Sequence, residues 1–155
     1  MNKKFIGLGL ASVAALSLAA CGSRTAKNDS SSSDSASSIK AAIVTDIGGV
    51  DDRSFNQSAW EAVKEYGTKN DKGYKYYKPA SFDTAGYRDQ IKNAVDNGAK
   101  VVVLPGFKFA AALGTIQNQE KYKGVKFVAI DFTPTDEKDN AVDVADNVYC
   151  ATYKE

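Results

Sequence analysis

From Ile39 onward the apolar residues fall into short continuous runs that alternate with stripes at helical spacing. Ile39-Lys40-Ala41-Ala42-Ile43-Val44-Thr45-Asp46 carries its apolar run at the centre and reads as a strand. Gly48-Gly49 breaks it, and Ser54 with Gln57 three residues later forms a capping box that opens a helix. In that helix Phe55, Ala59, Ala62, Val63 and Tyr66 share one face, and Gly67 stands near the end. Residues 74–78 predict a second strand stopped by Pro79. Tyr87, Ile91, Ala94 and Val95 predict a second helix closed by Asn97-Gly98. A wholly apolar third strand over 101–104 stops at Pro105-Gly106. Residues 107–120 read as a third helix, 126–131 as a fourth strand and 147–152 as a fifth.

Continuous apolar strands separated by helices argue for an α/β domain with a parallel sheet covered on both faces. Such a Rossmann-like fold binds its ligand in the crevice beyond the carboxyl ends of the strands. The sequence places there Asp46 and Gly48-Gly49-Val50-Asp51-Asp52 after the first strand, Pro105-Gly106-Phe107 after the third and Asp131-Phe132 after the fourth. Gly48-Gly49 is no phosphate loop, because neither the Walker spacing nor G-x-G-x-x-G is present and two acids sit where a phosphate would approach. Asp46, Asp51, Asp52 and Asp131 could together hold a divalent cation. Equally, Asp51 and Asp52 suit the positive end of the following helix. Asp46 and Asp131 each end an apolar strand on the same edge, where a carboxylate either accepts hydrogen bonds from ligand hydroxyls and amines or is simply solvated. Phe55 is placed to pack in the core or to stack on a flat ring. Asn56 carries a donor and an acceptor that suit the edge of a heterocycle. The pattern alone leaves these two open. Cys150 reads as a half-buried strand cysteine, and Tyr74, Tyr76 and Tyr77 as strand packing.

The first 38 residues have a different character. Lys3 and Lys4 precede an uncharged apolar run over 5–20, about 16 residues, shorter than the roughly 20 that span a bilayer. This is a secretory signal pattern. Its end, Leu18-Ala19-Ala20-Cys21-Gly22, resembles a bacterial lipobox, in which the Cys21 sulfur takes a diacylglycerol and the chain is cut before it. Residues 22–38 are polar, with seven serines between Ser30 and Ser38, and read as a flexible tether. An anchor followed by a tether predicts a domain held at the outer face of the cytoplasmic membrane.

Composition narrows the function. Lys+Arg total 20 and Asp+Glu 19, a net charge of +1, so the basic excess of a nucleic-acid binder is missing. The chain has no histidine, which removes Ser-His-Asp and Cys-His nucleophiles and the common zinc sites. Two cysteines exclude a disulfide-dense scaffold. A binder, or an enzyme that works with carboxylates, remains.

Lipobox, serine tether and the run Ala42-Ile43-Val44-Thr45-Asp46-Ile47-Gly48-Gly49-Val50-Asp51-Asp52-Arg53-Ser54-Phe55-Asn56-Gln57 together resemble the start of the basic membrane protein family. Val128-Ala129-Ile130-Asp131 and Asp146-Asn147-Val148 match later family segments. The resemblance implies a lipoprotein that is the substrate-binding subunit of an ABC importer, with a permease as partner, a purine nucleoside as ligand, no cofactor and no catalysis. It also implies the type I periplasmic-binding-protein fold, two Rossmann-like lobes that close on ligand. By similarity Asp46 and Asn56 would hydrogen-bond the nucleoside, Phe55 would stack on its base, Asp131 would meet the base's polar edge, and Gly106 and Phe107 would line the cleft. The 117 residues from 39 to 155 suffice for the first lobe only, so the expectation is a half-enclosed site that binds weakly. A sugar binder of the same fold, a carboxylate-dependent nucleoside hydrolase and a surface immunogen are the rival readings.

Overall fold

The computed structural model describes residues 39–153; the expected signal peptide, the lipobox at Cys21 and the tether lie outside the described residues. Five strands, β1 (Ile39–Val44), β2 (Gly73–Tyr77), β3 (Val101–Pro105), β4 (Lys126–Ile130) and β5 (Val148–Ala151), form one sheet in the order β2-β1-β3-β4-β5. Every pairing is parallel, with Ala42 opposite Val102, Val103 opposite Val128, and Val128 opposite Tyr149. Helix α1 (Phe55–Lys69) covers one face; α2 (Thr84–Asp96) and α3 (Ala110–Ile116) cover the other. The order reverses between β1 and β3, so the loops leaving these adjacent strands run to opposite faces and open a crevice between them.

The sheet sorts its side chains by alternation. Ala42, Val44, Val102, Leu104, Phe127 and Ala129 point into the larger core with Tyr87, Ile91, Leu113 and Ile116. Ala41 and Ile43 meet Ala59, Trp60 and Val63 on the α1 side. The expected parallel α/β sheet is borne out, including the fifth strand and the Asn97-Gly98 stop. There the Gly98 N–H reaches Val95 O at 2.9 Å and the Ala99 N–H reaches Ala94 O at 3.1 Å, a Schellman closure with Gly98 at φ +98°. Cys150 is half-buried, and Tyr74 and Tyr76 pack edge-on against Trp60.

Three expectations are corrected. The buried face of α1 is Asn56, Ala59, Trp60, Val63 and Gly67; Phe55, Ala62 and Tyr66 are exposed. The bulk of Trp60, seated 5.6 and 5.3 Å from the Tyr74 and Tyr76 rings, sets the helix rotation and turns those three away. Second, no continuous helix spans 107–120. A 3-10 turn at Phe107–Phe109 leads into the seven residues of α3, and a second 3-10 turn covers Glu120–Tyr122. The helix ends where Gln117, 1% exposed, spends its carboxamide on Asp143 O and the Ala145 N–H, both at 3.0 Å. Third, Ser54 and Gln57 do not make a reciprocal capping box. Ser54 forms no side-chain cap, and Gln57 accepts from the Arg53 N–H instead, at 3.1 Å. A charged carboxylate two residues upstream, Asp52, takes the helix N–H groups in preference to a hydroxyl.

Candidate ligand site at the carboxyl edge of the sheet

The β1–α1 loop is built around one carboxamide. Asn56, on the first turn of α1 and 2% exposed, donates one N–H to Asp46 Oδ1 at 2.6 Å and the other to Asp52 Oδ2 at 2.7 Å. Its own Oδ1 accepts the Asp46 N–H at 3.1 Å. Asp46 Oδ1 also accepts the Gly48 N–H at 2.8 Å. Asp46 Oδ2 accepts no hydrogen bond among the described residues, and the side chain is half-buried at the end of β1. Asp52 is fully engaged, with Oδ1 on the N–H groups of Ser54 (2.8 Å) and Gln57 (3.0 Å) and Oδ2 on the Asn56 N–H (3.3 Å). A Cβ at Gly48 would stand 2.9 Å from Asp52 Cβ and 3.2 Å from Asn56 Nδ2, so the chain passes over this cluster only as glycine.

Adjacent strands bring the rest to the same edge. Gly106 follows β3 at φ +98°, and its N–H donates to Ile130 O at 2.8 Å, which fastens the β3 turn to the end of β4. Asp131 follows β4 with φ +64°, and its N–H donates to Ala151 O at 2.8 Å. Arg53 (φ 54°) and Gly49 (φ 74°) in the β1–α1 loop are also left-handed. Left-handed backbone at non-glycine residues costs on the order of 1 kcal/mol or more and collects where a site needs a particular geometry. Phe55 is 40% exposed, Phe107 70% and Tyr153, just past β5, 67%. The Phe55 and Tyr153 rings lie 6.4 Å apart at 32°. No hydrogen bond or ring contact among the described residues joins Asp131 or Phe107 to the Asp46 cluster; strand adjacency is what places them together.

The edge therefore offers one open carboxylate oxygen at Asp46, a second carboxylate at Asp131 and exposed aromatic faces. That combination suits a flat, neutral ligand with N–H or O–H donors. Among the described residues no three carboxylate or thiol groups come together to hold a metal ion, and burial pushes the Cys150 thiol up. Sequence reasoning did not single out Tyr153 or the clamp at Asp52. An aromatic just beyond the last strand, and an aspartate two residues before Ser54 at the spacing of an Asx turn, were the signals available.

The same hydrogen bonds make stability sensitive to acid. Burial works to raise the Asp52 carboxyl, but the bonds from Asn56 and from the Gln57, Ser54 and Asn56 N–H groups together bring it below its ordinary 3.8. The Gly86 N–H lowers Asp83, which caps α2 at 2.7 Å, and Asn140 lowers Asp136. A folded-state value below the unfolded one stabilises above the unfolded value, and that stabilisation is lost as pH falls through the folded one. The urea midpoint should thus stay level above about pH 5 and drop below pH 4. The drop should shrink in Asp83→Asn. A midpoint unchanged down to pH 2.5 would contradict this.

Among the described residues no helix is long and apolar enough to cross a membrane. Known proteins resemble the chain in sequence and fold. The Lactococcus lactis subsp. cremoris "ABC transporter nucleoside-binding protein BmpA" is 36% identical over 156 residues, covering 95% of this chain and 42% of that protein. The "CD4+ T-cell-stimulating antigen" of Listeria innocua is 35% identical over 151 residues, covering 93% of this chain and 41% of the antigen. The chain thus spans about two-fifths of the length of these curated relatives. The crystal structure of an ABC transporter solute-binding protein from Aeropyrum pernix K1 shares the fold, with TM-score 0.58 and 23% identity over 72% of this chain and 28% of that one. The family model described as "ABC transporter substrate-binding protein PnrA-like" matches residues 39–155, and the chain belongs to this Bmp family of ABC transporter substrate-binding proteins.

Proposed function

We propose that this chain binds purine nucleosides at the carboxyl edge of its sheet, as the ligand-capturing part of an ABC importer on the outer face of the cytoplasmic membrane. The observation that carries this reading is the open Asp46 oxygen at the end of β1, held by Asn56, with the exposed Phe55 next to that asparagine on the first turn of α1 and Asp131 on the same edge of the sheet. Phe55 stacks on the base. Asp46 and Asp131 accept N–H or O–H hydrogen bonds, Asn56 serves the site through Asp46, and Gly106 and Phe107 line the β3 side. The similarity to the nucleoside-binding protein of Lactococcus lactis supports nucleosides over other flat ligands. Net charge near zero suits a neutral ligand. No bond of the ligand is broken. Cys21 carries the lipid that holds the protein at the membrane, where two acyl chains anchor stably and one does not; Cys21→Ala should release the expressed protein from the membrane fraction of a bacterial host.

Titrating the 15N-labelled chain with inosine, adenosine and guanosine should shift the amides of Asp46, Gly48, Phe55, Gly106 and Asp131. The described residues supply one wall, and sites of this kind derive affinity from burying most of the ligand, so the affinity should be weaker than micromolar. Phe55→Ala should remove about 1–3 kcal/mol of binding, the worth of one base stacked on an aromatic ring. It should change stability by less than about 0.5 kcal/mol, because the ring is exposed. Equal shifts with ribose alone, or none with any purine nucleoside, would overturn the reading.

A further inference from the structure

The functional carboxylate of this site is Asp46, yet the residue that orients it stands one link back. The Asn56 carboxamide has two N–H protons and gives one to each of two carboxylates, Asp46 and Asp52. Turning that amide over would set its oxygen against both acids and withdraw the acceptor from the Asp46 N–H. Asn56 is thus locked from both ends, and Asp52 is the end fastened to α1 through the Ser54, Asn56 and Gln57 N–H groups. The lock decides which Asp46 oxygen is used internally. Oδ1 is consumed by Asn56 and Gly48, and Oδ2 is left for a donor from outside. We infer that Asp52 is a positioning residue for ligand binding, acting through Asn56 to aim the open oxygen of Asp46 into the crevice.

The alternative is that Asp52 merely supplies negative charge and a cap at the α1 N-terminus. Asp51 provides the comparison, because it carries the same charge at the same helix end, is exposed, and makes no hydrogen bond to Asn56 or Asp46. In Asp52→Asn an amide cannot accept all four of the donors that the carboxylate holds, so the Asn56 lock loosens. In Asp52→Glu the charge remains but an extra methylene displaces the carboxylate, which keeps the helix end charged should the asparagine variant fail to fold.

The inference rests on the nucleoside reading above only for its ligand, and the experiment separates the two. Amide hydrogen exchange on the 15N-labelled chain reads the Asp46 and Gly48 N–H groups without any ligand present. In Asp52→Asn and Asp52→Glu their protection should fall about tenfold or more, the scale of one lost charge-assisted hydrogen bond. Inosine affinity should fall by about the same factor, and Asp51→Asn should change neither. Loss of protection confined to Ser54, Asn56 and Gln57, with Asp46 and Gly48 unchanged, would reduce Asp52 to a helix cap and overturn the inference, as would wild-type behaviour of Asp52→Glu. Should inosine fail to bind the unmodified chain, the nucleoside reading falls, while the exchange data still decide the role of Asp52.

Discussion

Gly114→Ala should destabilise the fold by about 3 kcal/mol or more, the upper end of what overpacking a core costs. The sign makes this diagnostic. Gly114 lies inside α3, where alanine has the better helix propensity and local preference alone would stabilise by about 1 kcal/mol. But a Cβ at 114 would lie 1.9 Å from Thr135 O and 2.8 Å from the Thr135 carbonyl carbon. Those are main-chain atoms of the β4–β5 connection, and the segment has little room to retreat. The Thr135 N–H donates to Ala110 O at 3.1 Å, Thr135 bridges Ala141, and Glu137 pairs with Arg88 of α2 at 2.9 Å. Thr135 lies four residues past Asp131, so the amide of Asp131 should shift as well. Urea unfolding followed by circular dichroism measures the effect, and a variant as stable as the parent would show that the connection is not held against α3.

Phe127→Ala should cost about 3–5 kcal/mol, as large-to-small changes at fully buried aromatics do. Phe127, the second residue of β4, is 0% exposed, between Val102 and Val148 on the flanking strands and 6.1 Å from the Tyr122 ring. Domain stabilities are on the order of 5–15 kcal/mol, so the variant should lose roughly 10–20 °C of Tm. Tyr149, 57% exposed on β5, is the control. Tyr149→Ala loses a largely exposed ring whose centroid lies 5.7 Å from Lys126 Nζ, and should move stability by less than about 1 kcal/mol. Comparable losses from both would mean that burial does not set the cost.

The strands were legible because each is an apolar run bounded by glycine, proline or a change in spacing, and a parallel sheet buried on both faces writes that signal plainly. The Asn97-Gly98 stop was legible for a similar reason, since Gly98 at φ +98° is a local backbone requirement. Helix faces were less so. Counting apolar residues at helical spacing put Phe55 and Tyr66 on the inner face of α1, whereas burial there goes to Asn56, Trp60 and Gly67. The largest ring won the contact with Tyr74 and Tyr76, and the polar Asn56 entered the interior because two carboxylates and a backbone N–H satisfy every atom of its amide. Hydrophobicity says nothing about a polar residue whose partners come from four and ten positions upstream.

Taken alone, the sequence determined the alternation of strands and helices, the parallel α/β class, the edge at which Asp46, Gly106 and Asp131 would emerge, and the family to which the Gly48-to-Asn56 loop points. These follow from short-range regularities: side-chain period, turn residues and the order of elements along the chain. Only the tertiary structure decided that Phe55 faces outward, that residues 107–120 break into short pieces around the anchored Gln117, and that Asp52 rather than Ser54 holds the start of α1. It also decided which oxygen of Asp46 is spent within the protein and which is left open. Each of those outcomes is a competition among groups for the same space or the same proton. Asp52 competes from within its own loop and the other groups from elsewhere in the chain, and such competitions are settled only when the loop closes and the elements pack.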